Sequence, residues 1–225
     1  MKEQGRVLTF TKYIVVLVST GLLITLFVKI SNNLLSKELF VIGVVAFFVG
    51  YLLADLLTGT VHWFCDTFFS ENAPFIGPII IASFREHHTH PQLFTKDKFI
   101  EQDTTSFFVL LIPLFIAVSN ESSYSNDLNS FFWHSTLIGL SIGAFGTNLF
   151  HKWAHQTNPP LLAKKLQKMG LILTPDRHNK HHRDYRKSFC VTSGWLNFLL
   201  DYTKFFLTLE RFIRLFSYKS YEPRT

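Results

Sequence analysis

Four long apolar stretches follow one another along the chain, and each is a candidate helix across a membrane. They cover residues 11–30, 38–57, 104–119 and 131–150. A helix needs about 20 apolar residues to cross the hydrocarbon of a bilayer. The third stretch is shorter and contains Pro113. The pattern predicts an all-α, multi-pass membrane protein with about four transmembrane helices, and we expect residues 1–225 to form a single membrane domain.

Two further apolar segments have a different pattern. Residues 75–84 are interrupted by a Gly-Pro pair and are too few to span, which favours a re-entrant or interfacial piece. Residues 189–207 are rich in aromatic side chains but contain Asn197, Asp201 and Lys204. We expect this second segment to lie in the membrane interface.

The distribution of basic residues indicates the orientation of the four spans. With four spans, both termini and residues 58–103 share one side, and most of the Lys and Arg residues fall there. The other side receives Lys29 and Lys37 in one loop, and residues 120–130 carry no Lys or Arg. Since basic residues are retained on the cytoplasmic side, we predict that both termini are cytoplasmic. The membrane would be the cytoplasmic membrane of a bacterium or the endoplasmic reticulum of a eukaryote.

Net charge restricts the expected partners, and cysteine location indicates whether disulfides form. The formal net charge of +6 follows from the topological bias and suits anionic lipid head groups, so we expect a membrane partner and no nucleic acid. Cys65 and Cys190 both fall on the predicted inner side. Thiols stay reduced in that compartment, so no disulfide is expected.

Nine of the ten histidines lie on the predicted inner side. The exception is His134, which is 17 residues before His151 on the same predicted helix, or about 25 Å away at 1.5 Å per residue. The second span keeps a helical pattern beyond the membrane and places Asp55, His62 and Asp66 on one face. An aspartate such as Asp55 within an apolar run indicates a functional or paired site.

Three more histidine groups follow. The segment F84-R-E-H-H-T-H-P91 ends at a proline that stops a helix; its adjacent His87 and His88 diverge, which suits two metals or one metal and a supporting role. His151 and His155 have the i, i+4 spacing by which one helix face presents two imidazoles to one metal. In H178-N-K-H-H182, His178 can pair with His181 or with His182. Each group alone also fits a solvated polar or basic surface.

The surplus of imidazoles predicts two metal ions. One structural zinc needs four ligands and usually recruits cysteine, and imidazole suits zinc, copper, iron and nickel alike. Histidine boxes at the cytoplasmic ends of spans are typical of membrane-bound di-iron oxidative enzymes, so we predict two iron ions and O₂ as co-substrate. No flavin, haem or dinucleotide motif is present. Electrons must then come from an external, acidic carrier of the cytochrome b5 or ferredoxin type, docking on the basic inner surface.

The motifs together resemble one known family. The stretches are A54-D-L-L-T-G-T-V-H-W63 with Asp66, F84-R-E-H-H88 with Pro91, H151-K-W-A-H155, H178-N-K-H-H182 and F189-C-V-T-S-G-W-L-N197. They are similar to those of the plasmanylethanolamine desaturases and their relatives, which include the plant plastid desaturase acting on acyl chains of phosphatidylglycerol. The resemblance places a lipid desaturase region at about residues 54–200. It implies an oxidoreductase that introduces a double bond into an alkyl-ether or acyl chain of a glycerophospholipid.

The resemblance also implies a ligand set, with no catalytic side chain beyond the metal site. The metal ligands would be His62, His87, His88, His151, His155, His178, His181 and His182. Asp55 and Asp66 would orient an imidazole by accepting its other N–H or bind metal directly. The chain departs from the family pattern after His88, where His90 replaces an aspartate and K96-D-K-F99 replaces an Arg-His-Asp-Phe run, and in R183-D-Y-R-K-S188, which lacks a family histidine. His90 either compensates or is a bystander.

Two alternatives remain open. A di-iron lipid hydroxylase would begin with the same hydrogen abstraction. A non-catalytic metal-binding membrane protein or a transporter would also use histidine ligands, but transporters place them near the bilayer midplane on broken helices, whereas these histidines fall at helix ends and in loops on one side.

Overall fold

The four apolar stretches form the four longest helices of the computed structural model, which describes residues 2–33, 36–77, 81–96, 98–120 and 127–216. Over these residues the chain is α-helical without strands, as predicted. The helices are α1 Lys2–Ser31, α2 Lys37–Thr67, α3 Ala82–Thr89, α4 Pro91–Phe94, α5 Phe99–Ser119, α6 Leu128–His155, α7 Leu161–Lys168, α8 Pro175–Arg183, α9 Asn197–Tyr202 and α10 Phe205–Phe216.

Two helices are long and apolar enough to cross a membrane by length and composition. These are Leu8–Ser31 in α1 and the whole of α2, while the apolar part of α5, Asp103–Ser119, is shorter. Large apolar side chains on α1 and α5 remain exposed, such as Leu17 at 73% and Ile112 at 68%. Exposed apolar side chains in such number suit a surface that faces hydrocarbon rather than water.

The chain divides into two compact units. One comprises Met1–Ala54 and Lys98–Leu149, and the other comprises Asp55–Asp97 and Phe150–Thr225. The first unit is formed by α1, α5 and the adjoining parts of α2 and α6. Its hydrophobic cluster consists of Leu26, Ile30, Phe107, Leu110, Leu114, Ala117, Phe131, Ile138 and Phe145.

Glycine allows α2 and α6 to touch backbone to backbone within the first unit. A methyl group at Gly50 would lie 1.9 Å from the Thr136 carbonyl oxygen, and one at Gly139 would lie 1.9 Å from the Phe47 carbonyl oxygen. No side chain fits at either position. Small residues at close helix crossings are how helices pack in a lipid environment, where apolar burial between helices gains little.

The second unit contains every short helix together with the ends of α2 and α6. Its largest apolar cluster is Trp63, Phe189, Cys190, Leu200 and Phe206, and a smaller one joins Ala154, Leu173 and Val191. Cys65 and Cys190 are both buried free thiols.

One expectation is wrong in part. Residues 189–207 were expected in the membrane interface, but residues 188–193 are buried inside the second unit, with Phe189, Cys190 and Thr192 fully inaccessible. Aromatic composition does not distinguish a buried segment from an interfacial one. The re-entrant piece expected at residues 75–84 includes residues 78–80, and the loop at 120–130 includes residues 121–126, which lie outside the described residues, as do residues 217–225.

Candidate metal centre

Helix α2 carries the first of the candidate ligands. It is helical without interruption to Thr67, which confirms that the second apolar stretch continues as a helix past residue 57. Asp55, His62 and Asp66 therefore share one face, and all three side chains are buried.

Helix α3 ends just after its two histidines because of Pro91. The proline has no N–H to extend α3, and it begins α4 instead. His87 is buried and the His88 side chain is 11% exposed.

Helices α6 and α8 contribute the other histidines. The last turn of α6 carries His151 and His155. Helix α8 starts at a cap in which the Thr174 hydroxyl accepts a hydrogen bond from the Arg177 amide at 3.3 Å, followed by Pro175 at the first helical position. This cap fixes where α8 begins, and His178 and His181 on that helix are both buried.

The first cluster of ligand atoms surrounds Asp66. One carboxylate oxygen, Oδ2, lies 3.2 Å from His62 Nε2, 3.3 Å from His181 Nε2 and 3.4 Å from His88 Nε2. The Nε2 atoms of His181 and His88 are 3.1 Å apart. We call His62, His88, His181 and Asp66 the Asp66 group.

The second cluster is built from imidazoles alone. His178 Nε2 lies 2.9 Å from His151 Nε2, 2.8 Å from His155 Nε2 and 2.9 Å from His182 Nε2. His151 and His155 are themselves 3.2 Å apart at Nε2. We call these four residues the His178 group.

His87 lies between the two clusters. Its ligand atom is within 4.8 Å of those of His62, His88 and His181, and within the same distance of those of His151, His155 and His178. The structure thus brings seven of the predicted histidines into two overlapping sets of four that could each hold one metal ion. The eighth, His182, contacts His178.

Backbone carbonyls fix which ring nitrogen faces the cluster. His62 Nδ1 is 3.0 Å from the Phe189 carbonyl oxygen, and His181 Nδ1 is 2.8 Å from that of Lys187. His87 Nδ1 bonds to the Phe84 carbonyl oxygen. A carbonyl oxygen can only accept, so Nδ1 carries the proton and Nε2 presents a lone pair. Histidine ligands of metals are oriented in this way.

The geometry fits metal ions better than hydrogen bonds. Among the residues that the structure describes, His62 Nε2 and both Asp66 carboxylate oxygens are buried without a hydrogen-bond partner, which is costly unless another ligand satisfies them. Two nitrogens bound to one ion at about 2.1 Å lie about 3.0–3.4 Å apart for angles of 90–109°. The observed Nε2 separations of 2.8–3.2 Å are close to that range.

Burial keeps the imidazoles neutral. It lowers the pKa of His88 and of His182 to about 3, and it also lowers the pKa of His87, His178 and His181. Metals bind neutral imidazole, so these histidines are in the binding form at neutral pH.

A polar cavity reaches the Asp66 group. It has a volume of about 500 Å³, and its lining includes Asp66, Glu71, Arg85, His88 and Tyr185. The Tyr185 ring stacks on His88 with ring centres 4.4 Å apart and planes within 7°. The sequence offered no sign of Tyr185, because its partner is almost one hundred residues away.

Asp55, His90 and His134 lie outside both groups of ligand atoms. Both Asp55 oxygens bind the backbone of residues 192–196 rather than an imidazole. His90 is exposed and contacts Thr89 at 2.9 Å, and His134 is in the part of α6 that belongs to the first unit. Neither histidine belongs to a candidate metal group among the described residues.

These features define an all-helical protein with long apolar helices and a candidate two-metal centre made of histidines and one carboxylate. A family model of the lipid desaturase domain matches residues 51–225, and the chain belongs to that family. The resemblance drawn from the motifs is confirmed.

Several curated proteins are similar to this chain. The plasmanylethanolamine desaturase of Myxococcus xanthus is 38% identical over 75% of this chain and 59% of its own length. Plasmanylethanolamine desaturase 1 of Mus musculus is 36% identical over 78% and 65%. The chloroplastic fatty acid desaturase 4 of Arabidopsis thaliana is 32% identical over 83% and 57%. The chain thus spans about three-fifths of the length of these relatives. No solved structure matches it.

Proposed function

We propose that the protein is a membrane-bound, O₂-dependent lipid desaturase with two iron ions. The observation that carries the proposal is the convergence of eight histidines and Asp66 into two adjoining groups, within a chain of the lipid desaturase family. Each group offers the number and spacing of ligands that one ion requires.

The distances between ligand atoms indicate which of the two ions each residue would hold. One iron would be held by the Asp66 group and the other by the His178 group, with His87 available to either. Asp66 faces the Nε2 atoms of its histidines, which supports a role as a direct ligand rather than as an acceptor for an outer N–H.

The overall desaturation reaction balances when an external donor supplies two electrons. A CH₂–CH₂ unit, O₂, two electrons and two protons give CH=CH and two waters. Bound iron and O₂ would supply the oxidant that removes hydrogen from an unactivated C–H bond. The protein's own groups hold the ligand geometry through Lys187 and Phe189, and the buried setting of His62, His178 and His181 excludes bulk water.

The polar cavity is an access route for small polar species. Its lining carries Glu71, Arg85 and Glu86 beside Asp66. We infer that protons and water exchange with the Asp66 group through this cavity.

The substrate would be the alkyl-ether or acyl chain of a glycerophospholipid. The relatives' names specify a plasmanylethanolamine and a fatty acid. The double bond would lie close to the head group if the substrate is an alkyl ether, since a vinyl ether is then the product.

The membrane topology proposed is four spans with both termini cytoplasmic. Support comes from the two long apolar helices, from the exposed apolar side chains of α5, and from the sequence distribution of Lys and Arg. The site would then lie on the cytoplasmic side, in an integral membrane protein.

The electron donor would dock on the cationic side of α8 and the turn after it. Lys180, Arg183, Arg186 and Lys187 are all exposed there, although Asp184 pairs with the last two. This surface begins among the ligands His178, His181 and His182 in sequence, and it suits an acidic carrier of the cytochrome b5 or ferredoxin type.

The test combines metal content with lipid composition. We expect the purified protein to hold two irons, and cells expressing it to gain vinyl-ether or newly unsaturated glycerolipids relative to cells without the gene. His182→Ala should abolish the lipid change while the protein still inserts in membranes. His134→Ala, a histidine outside both groups, is the matched control and should leave it intact. A single bound zinc, or a change in metal uptake without a lipid change, would overturn the proposal.

A further inference from the structure

Residues 187–197, here called the carbonyl segment, supply the backbone oxygens that orient two ligands of the Asp66 group. The Lys187 carbonyl accepts from His181 and the Phe189 carbonyl accepts from His62. The segment has no regular secondary structure before α9. Something other than a helix or a sheet must therefore hold its carbonyls in place.

A buried carboxylate on α2 holds the far end of the segment. Asp55 Oδ1 accepts from the amides of Thr192 at 3.1 Å, Ser193 at 2.9 Å and Gly194 at 3.0 Å. Its Oδ2 accepts from the Leu196 amide at 3.2 Å and the Ser193 hydroxyl at 3.1 Å. The positive φ of +69° at Gly194 suits the tight turn that brings these amides together.

Two side chains that follow the carbonyls hold the near end. Asn197 accepts from the Cys190 amide at 2.8 Å and donates to the Cys190 carbonyl at 3.0 Å. Asp201 accepts from the Ser188 amide at 2.9 Å and from its hydroxyl at 2.7 Å. Ser188 and Cys190 flank Phe189, so each oriented carbonyl is next to an anchored residue.

The α2 residues that contact the carbonyl segment lie close to the ligand His62 on the same helix. Between Asp55 and His62, the Thr58 hydroxyl lies 3.0 Å from that of Thr192, and a methyl group at Gly59 would lie 2.7 Å from the Cys190 sulfur. The register of the segment along α2 is thus set by contacts at Asp55, Thr58 and Gly59, all before His62. A shift of the segment would move the carbonyls away from both imidazoles.

We propose that Asp55, Asn197 and Asp201 are positioning residues that tune the Asp66 group through the carbonyl segment. Their side-chain hydrogen bonds go to residues of the segment and not to the histidines or Asp66. The largest effect is expected at His62 and His181, since both imidazole bonds of the segment go to these two ligands. A smaller effect on α8 would pass through the Ser193 carbonyl, which accepts from Arg177 at 2.9 Å. The inference rests on the proposed function only in requiring that the two groups bind metal.

The test measures the number and affinity of metal sites rather than enzyme activity. Metal-free, detergent-solubilised full-length protein is titrated with Fe²⁺ without oxygen and, separately, with Co²⁺, whose absorption spectrum reports on its ligands. We expect two sites in the natural sequence. In Asp55→Asn, an amide NH₂ replaces one acceptor oxygen, and one site should bind roughly 10–100-fold more weakly while the other changes less.

Three further variants make the result specific. Asp201→Asn should weaken the same site, and its partly exposed carboxylate makes it the variant of choice if Asp55→Asn fails to fold. Trp195→Phe removes a 2.7 Å hydrogen bond from the segment to the Gly170 carbonyl and should keep both sites. In a protein already carrying Asp66→Asn, Asp55→Asn should add little, because both changes act on one group.

The outcomes separate this inference from the proposed function. Two unchanged sites in both Asp55→Asn and Asp201→Asn, or equal weakening of both sites in folded protein, would overturn the positioning role. A natural protein that binds neither Fe²⁺ nor Co²⁺ at two sites would overturn the proposed function itself, and this inference with it.

Discussion

The Asp66 group and the His178 group place their imidazoles by different means. In the His178 group, His151 and His155 are one turn apart on α6, and His178 and His182 are one turn apart on α8. Regular helix geometry alone aligns each pair. In the Asp66 group, the three histidines come from α2, α3 and α8, and two of them are oriented by the carbonyl segment.

The groups differ in charge and access as well. The Asp66 group contains a carboxylate and adjoins the polar cavity with Tyr185, whereas the His178 group consists of neutral imidazoles. A carboxylate lowers the net charge of a bound ion's shell. Two metal ions bound as proposed would therefore be inequivalent, with the ion of the Asp66 group more exposed to protons and water.

The largest expected effect comes from His178→Ala. His178 Nε2 lies within 3 Å of the Nε2 atoms of His151, His155 and His182, so its removal deprives one ion of its central ligand. Desaturation should fall by roughly 100-fold or more, beyond the cost of losing an orienting contact. Iron content should drop from two toward one per chain.

The outcome also tests whether the groups are independent. If His178→Ala removes both irons, the Asp66 group depends on the His178 group and the two groups are not independent. Membrane insertion and the helical signal measured by circular dichroism should not change.

Asp66→Asn should have the next largest effect. An amide retains the shape of the side chain but not its negative charge, so one iron should bind more weakly by more than the roughly 10–100-fold that loss of an orienting contact costs, while the His178 group keeps its ion. Iron content and Mössbauer spectra of the two sites give the measurement. Equal loss of both irons would show that the carboxylate bridges the two ions and does not belong to one group.

The His178 group was the part of the site most open to prediction from sequence. Spacings of four residues translate directly into neighbouring side chains on a helix, and the divergence of His87 from His88 and of His181 from His182 follows from the same geometry. The choice between His181 and His182 as partner of His178 did not follow. It depends on the rotation of α8, which tertiary packing determines.

The supporting contacts were beyond sequence reasoning for a related reason. The family resemblance implied that Asp55 accepts from an imidazole N–H or binds metal directly, yet it accepts from amides of residues 192–196. Those residues are more than 130 positions away, and an irregular segment has no periodicity to reveal its path. Similarly, the aromatic residues after position 188 indicated a lipid interface, although Phe189 is fully buried.

A smaller effect is expected from reversing charge on α8. Lys180→Glu combined with Arg183→Glu should lower the donor-dependent rate several-fold at low salt, because an acidic carrier would be repelled. The loss should shrink as ionic strength rises, and iron content should stay at two. Lys165→Glu on α7, also an exposed lysine, is the matched control. An equal loss for that variant would remove the α8 surface from consideration as the docking site.

The smallest effect is expected from His90→Ala, which tests whether the Asp66 group extends beyond its four members. His90 occupies the position after Thr89 at the end of α3, is exposed, and bonds to the Thr89 hydroxyl. Pro91 starts a new helix immediately afterwards, so the local backbone turns between His88 and residues further along. Surface substitutions of this kind change stability by about 0.5 kcal/mol or less. Activity should change less than twofold with two irons retained, and loss of one iron would instead show that His90 replaces the family histidine absent from residues 183–188.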